Sequence, residues 1–183
     1  LLPQHEVIVV GRKPPAHAAA DGVEWVACDL SQSFGHHDLP ANVDAIIHLA
    51  QSEAYREFPQ RAREIFEVNV GGTMRLLDFA QATGVGKFIF AGSGGIYQYA
   101  DAPIAEGDPI RPLSFYLASK AAAETLMRTY ESLFPVIVLR LFFVYGSGQQ
   151  PGMLVPGLAR KVLGGERIRV EGSPGIRINP IHV

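Results

Sequence analysis

The sequence holds a single cysteine, Cys28, in 183 residues. One thiol cannot form an intramolecular disulfide, and no cluster of metal-ligating residues surrounds it, so no metal site is expected. It reads as a small buried apolar side chain in a reducing compartment. An excess of charge of either sign is also missing. With 16 Lys plus Arg against 18 Asp plus Glu, the formal net charge is −2, which lacks the basic footprint of a general nucleic-acid binder. Hydrophobic runs are short. The most apolar stretch, residues 134–145, is interrupted by Arg140 and is too short for the roughly 20 residues that cross a bilayer. The chain opens on Leu1-Leu2-Pro3-Gln4, with no initiator methionine and no charged flank before an apolar region, so no secretory signal is visible and a start inside a longer protein is expected. These absences point to a cytoplasmic domain that handles a small molecule, with neither nucleic acid nor membrane as partner.

What is present suffices for one substantial core, since 48% of the residues are hydrophobic. Residues 6–10 (EVIVV) form a β-branched run ended by Gly11, and residues 23–28, 45–50, 87–92 and 136–142 repeat that character. Short, uniformly apolar runs of this kind suit strands covered on both faces. Between the third and fourth runs, Phe66, Val70, Met74, Leu77 and Ala80 recur at three- and four-residue intervals, and Gly84 follows at the place of a C-terminal cap. A second helix is expected from Ser114 to about Leu133, stopped by Pro135. Strands alternating with helices predict a doubly wound α/β sheet of Rossmann type, with ligands gathered at the carboxyl ends of its strands. Proline and glycine become denser after Tyr145. Residues 1–146 are therefore expected to form one domain and 147–183 the start of a second lobe, with a strand at 167–170 and a turn at 171–175.

Tyr116 and Lys120 are four residues apart, which places both on one helix face. An ammonium fixed beside a phenol would lower the phenol's pKa from about 10 and poise it as a general acid or base. Ser93 follows the strand at 87–92 and is flanked by Gly92, Gly94 and Gly95, so a substrate oxygen could approach its hydroxyl. Gly11, Arg12 and Lys13 stand where a doubly wound fold usually carries a carboxylate that bonds the ribose of NAD and repels the 2′-phosphate of NADP. Two cations there predict a preference for NADP.

Read in order, the chain resembles the extended short-chain dehydrogenase/reductase family of NAD-dependent epimerases and dehydratases. The matching segments are Asp29-Leu30, His48-Leu49-Ala50, Asn69-Val70-Gly71-Gly72-Thr73, Ala91 through Tyr97, Tyr116-Leu117-Ala118-Ser119-Lys120 and Arg140 through Gly146. The resemblance implies that Tyr116 exchanges a proton with a hydroxyl-bearing substrate, largely nucleotide sugars, while hydride passes to or from NAD or NADP. Lys120 would hold the nicotinamide ribose and Ser93 the reacting oxygen. Gly11, Arg12, Lys13, Asp29, Leu30, Leu49, Ala50, Gln51, Asn69, Ala91, Gly92, Leu141 and Phe142 would line the cofactor site, and Ser93, Gly94, Phe143 and Arg177 the substrate site. A homodimer through the helices of Tyr116 and Phe66 is implied as well. His48 is expected to be a packed strand-end residue without a chemical role.

Three departures from the family pattern qualify the expectation. The family's Gly-x-x-Gly-x-x-Gly turn, which receives pyrophosphate at a helix N-terminus, would fall before Leu1 together with the first strand. Phe143 stands where many members have asparagine. Gly94-Gly95 replaces the Asp-Glu pair of many dehydratases, which argues for an epimerase or reductase. The alternative from another class is a non-catalytic NADP-binding sensor or scaffold of the same fold, against which the complete Ser93, Tyr116 and Lys120 set stands.

Overall fold

The structure is a computed structural model and describes residues 4–14, 23–99, 102–169, 172 and 178–183. It divides into two compact units, Leu1–Leu139 and Arg140–Val183.

In the first unit, strands β1 (Ile8–Gly11) and β2 (Glu24–Ala27) pair in parallel, as do β3 (Ala45–His48) and β4 (Lys87–Ser93). β5 (Val136–Leu141) follows β4 in the second sheet, whose order is β3-β4-β5. All five strands expected from the apolar runs are present. In the doubly wound order 3-2-1-4-5-6, the first strand lies between its second and fourth. The separate β1-β2 and β3-β4-β5 sheets are what that order leaves without the strand. Val10 and Ile47, 37% and 47% exposed, lie on the two strands that would flank it.

Between β3 and β4 the chain runs through α1 (Ala62–Phe66), a π-helical turn (Glu67–Gly71) and α2 (Gly72–Thr83). Gly84 closes α2 at φ +70°, the left-handed geometry anticipated for its cap. The helix α3 (Phe115–Arg128) begins under a cap in which Ser114 Oγ accepts the Leu117 amide at 3.2 Å. It ends five residues short of Leu133. Residues 129–133 form successive turns, in which the Leu133 and Phe134 amides both donate to the Tyr130 carbonyl, so the helix unwinds before Pro135 is reached.

The core lies between α2, α3 and the second sheet. Leu77, Ala80, Phe88, Phe90, Ala123 and Met127 are fully buried there, the larger ones each contributing about 1.5–3 kcal/mol. This packing fixes α3 against the end of β4.

The second unit holds β6 (Phe143–Tyr145) paired in parallel with β7 (Pro180–His182), and α4 (Leu154–Leu163). The strand expected at 167–170 is not formed: 167–169 have no regular structure, and Val170 lies outside the described residues. Of the expected turn at 171–175, only the bend at Gly172 is described. No helix among the described residues is long and apolar enough to cross a membrane.

Candidate active site

β4 carries Ser93 to its carboxyl end, where the chain turns into the short Gly94–Ile96 helix and Ser93 Oγ accepts the Gly95 amide at 3.2 Å. A Cβ on Gly95 would lie 3.0 Å from a Leu117 methyl and 3.4 Å from Ser93 Oγ. The bare glycine thus lets the first turn of α3 close onto the serine. Tyr116 is part of that turn.

One helical turn further along α3, Lys120 is 2% exposed. Its Nζ donates to the Ala91 carbonyl at 2.9 Å and lies 4.6 Å from the centre of the Phe90 ring. Burial lowers its pKa to about 8. Tyr116 Oη donates to Gln51 Oε1 at 2.8 Å, and its ring centre is 5.5 Å from that of Tyr55. Burial, and secondarily Tyr55, raises the Tyr116 pKa. The expectation that Lys120 lowers the phenol's pKa is corrected: the ammonium is directed to Ala91 and the face of Phe90, and desolvation of the phenol dominates.

Behind this pair lies Asn69, 1% exposed and placed by the π-helical turn, a device often found at functional sites. Its Oδ1 accepts the Ser52 amide at 2.8 Å and its Nδ2 donates to Ser119 Oγ at 2.9 Å. Ser119 Oγ in turn donates to the Tyr116 carbonyl at 2.7 Å. One carboxamide therefore ties the segment after β3 to α3. The Asn69 carbonyl accepts Thr73 Oγ1 at 2.7 Å, and His48 Nε2 meets that hydroxyl at 2.9 Å. Because the Thr73 proton is directed to Asn69, the network assigns the imidazole proton to Nε2. Burial, then Lys120, lowers the His48 pKa to about 3. The imidazole is neutral and locked in packing.

A cavity of about 90 Å³ opens at the carboxyl ends of β1, β2 and β3. Gly11, Arg12, Asp29, Leu30, Ala50 and Gln51, all expected at the cofactor, line it. Asp29 Oδ1 accepts the Ser31 amide at 2.9 Å, which is the first cause of its lowered pKa. Arg12 pairs with Glu53 at 2.9 Å. The other expected cofactor residues lie elsewhere. Lys13 is exposed and Leu49 is 67% exposed, Asn69 is interior, the Ala91 carbonyl is occupied by Lys120, and Gly92 sits against Leu139. Leu141, Phe142 and Phe143 belong to the second unit, and Arg177 lies outside the described residues. Gly94 is buried beside Ser93. A larger cavity of about 910 Å³ is lined by Tyr55, Arg56, Phe58, Phe115 and Tyr116 among others. Ser52, Tyr55 and Ser119 were not anticipated as site residues. Only Ser119 carried a sequence signal, its place beside Lys120 in the Tyr-Leu-Ala-Ser-Lys segment.

Parallel sheets flanked by helices, with a cavity at the carboxyl ends of their strands, define a Rossmann-like fold. Residues 1–175 match the NAD dependent epimerase/dehydratase family, and the chain belongs to that family. It is 30% identical over 139 residues to the low-salt glycan biosynthesis protein Agl12 of Haloferax volcanii, covering 74% of this chain and 45% of that protein. It is 32% identical over 134 residues to the dTDP-D-glucose 4,6-dehydratase of Mus musculus, covering 72% and 38%. Among solved structures, MoeE5 in complex with UDP-glucose and NAD superimposes with a TM-score of 0.83 at 30% identity, over 98% of this chain and 60% of that one. The chain thus spans less than half the length of these two curated relatives.

Proposed function

We propose that this chain is the dinucleotide-binding part of an NAD-dependent enzyme that epimerises or reduces a nucleotide sugar or related hydroxyl-bearing substrate, with Tyr116 as its proton-exchanging group. The observation that supports this reading is the packing of the helix of Tyr116 and Lys120 against the Ser93 end of β4, through the Lys120–Ala91 bond and the close approach of Leu117 to Gly95.

The small cavity fits one end of a dinucleotide. It lies at the strand ends where such folds receive one, Gly11 presents no side chain to it, and the Asp29 carboxylate stands at its wall as a hydrogen-bond acceptor. With a dinucleotide bound, its nicotinamide would supply hydride transfer at the other end, beside Tyr116. Ser93 Oγ would hold the reacting substrate oxygen, Tyr116 Oη would exchange a proton with it, and the Lys120 ammonium would hold a ribose hydroxyl. Asn69 positions both the segment after β3 and α3.

NAD is the favoured cofactor. MoeE5 was solved with NAD, and Arg12, whose charge suggested NADP, already has Glu53 as its partner. Gly94 and Gly95 offer no side chain for the proton transfers of dehydration, which favours epimerisation or reduction although a dehydratase is among the relatives. In this reading residues 1–146 serve the cofactor and 147–183 begin a substrate lobe. Two copies would pair in the cytoplasm through the helices of Phe66, 49% exposed, and Tyr116.

The deciding experiment is Tyr116→Phe in the full-length protein. Turnover of a nucleotide sugar is expected to fall about 100-fold or more, with cofactor affinity kept within a few-fold. Near-normal turnover would remove Tyr116 from the chemistry.

A further inference from the structure

The two cavities meet at one pair of side chains. Gln51 lines the smaller, Tyr116 lines the larger, and the phenol donates to Gln51 Oε1 at 2.8 Å. Both partners are held from behind by one residue. Ser52, next to Gln51, has its amide bound by Asn69 Oδ1, while the Tyr116 carbonyl accepts Ser119 Oγ, which is bound by Asn69 Nδ2. The Gln51 side chain itself is exposed, so its amide has room to turn.

We propose that Gln51 is a positioning residue for Tyr116, whose carboxamide keeps the phenol oxygen hydrogen-bonded in both protonation states. It accepts through Oε1 from the phenol and, after a half turn of the amide, donates through Nε2 to the phenolate. The proton itself passes between Tyr116 Oη and the substrate oxygen, and Gln51 neither gains nor loses one. This inference rests on reading Tyr116 as the proton-exchanging group.

The two orientations are unequal in strength. A bond from an amide N–H to a phenolate is charge-assisted and about twice as strong as one between neutral partners. A freely turning glutamine therefore eases ionisation of a phenol that its surroundings oppose. Burial and the Tyr55 ring both favour the protonated form. Lys120, on the same helix, is directed to Ala91, and the Arg56 guanidinium lies 5.1 Å from the centre of the Tyr55 ring. The carboxylates of Glu53 and Glu64, on the segments after β3, are paired with Arg12 and Arg61. Gln51 is the side chain that meets the phenol oxygen directly.

The test is to titrate Tyr116 in the full-length protein by NMR of ring-labelled tyrosine, the signal being assigned through its loss in Tyr116→Phe. Wild type is compared with Gln51→Met, which keeps the length and removes donor and acceptor, and with Gln51→Glu, which can only accept and adds a like charge. The midpoint should rise by at least about half a pH unit in Gln51→Met and further in Gln51→Glu. A midpoint that is unchanged or lowered in Gln51→Met overturns the proposal, a lowered one identifying Gln51 as a fixed acceptor. The titration does not depend on turnover. Loss of the enzymatic reading through an active Tyr116→Phe variant would therefore be distinguishable from failure of the Gln51 pairing.

Discussion

The Lys120 ammonium donates to the Ala91 carbonyl at 2.9 Å, joining the middle of α3 to the carboxyl-terminal part of β4. A charge buried with one carbonyl and one aromatic face is under-compensated, and its pKa falls from 10.5 to about 8. The folded protein therefore releases this proton at lower pH than the unfolded chain does. Between about pH 8 and 10.5 the unfolded chain binds more protons, so stability rises with pH across that window. Denaturant unfolding of wild type should gain on the order of 3 kcal/mol relative to Lys120→Met over this range. Parallel curves for the two proteins would show that Lys120 stays charged.

His48 carries the same sign into a more acidic window. Its pKa drops from 6.5 to about 3 on folding, so the imidazole must stay neutral in place while the unfolded chain takes up a proton. Stability is intact above about pH 6.5 and is lost progressively as pH falls toward 3. From pH 6.5 to about 5 the loss attributable to His48 is on the order of 2 kcal/mol. His48→Gln should retain that amount, read as the difference between urea midpoints of the two proteins at each pH. An identical acid response would mean that the histidine is solvated.

The parts of this molecule legible in sequence were those written in local pattern. The apolar runs specified β1 through β5, Gly84 specified its left-handed cap, and the Tyr116 and Lys120 spacing specified one helix face. The rest depends on contacts between segments far apart in the chain. Nothing near Lys120 indicated that its amine would reach back 29 residues to Ala91, or that Asn69 would bind Ser119 across 50 residues. The π-helical turn that aims Asn69 was not legible: the buried face passes from Ile65 to Val70, five residues apart across it, and Phe66, expected on the apolar stripe, is 49% exposed. α3 ends early for a related reason: turns at 129–133 satisfy the backbone that Pro135 alone was expected to terminate.

Asn69 and Ser119 should act as a unit. Asn69→Ala leaves the buried Ser52 amide without its acceptor, and Ser119→Ala leaves Asn69 Nδ2 without its own, each costing about 1–3 kcal/mol. Because both changes break the same bond, the double variant should be more stable than the sum of the single losses implies, by about 0.5 kcal/mol or more. Equilibrium unfolding of the four proteins of the cycle measures this coupling. Strict additivity would indicate that the two side chains do not meet.

The proposed preference for NAD rests on the Arg12–Glu53 pair. Its side chains are 49% and 85% exposed, so the pair is worth about 1 kcal/mol at most, yet it sets where the guanidinium points. Held by Glu53 at 2.9 Å beside the Asp29 carboxylate, Arg12 offers no unopposed positive charge to a 2′-phosphate. Wild type should accordingly bind NAD at least as tightly as NADP. Glu53→Gln removes the competing carboxylate and releases Arg12, which should shift the ratio of dissociation constants toward NADP by up to about 5-fold. Arg12→Ala should abolish that gain in the double variant while leaving NAD affinity within a few-fold. Titrating full-length wild type, Glu53→Gln and the Glu53→Gln, Arg12→Ala double variant with each cofactor gives the six constants required. Tighter binding of NADP by wild type would show that the ion pair opens for the phosphate and that Arg12 and Lys13 together decide the cofactor.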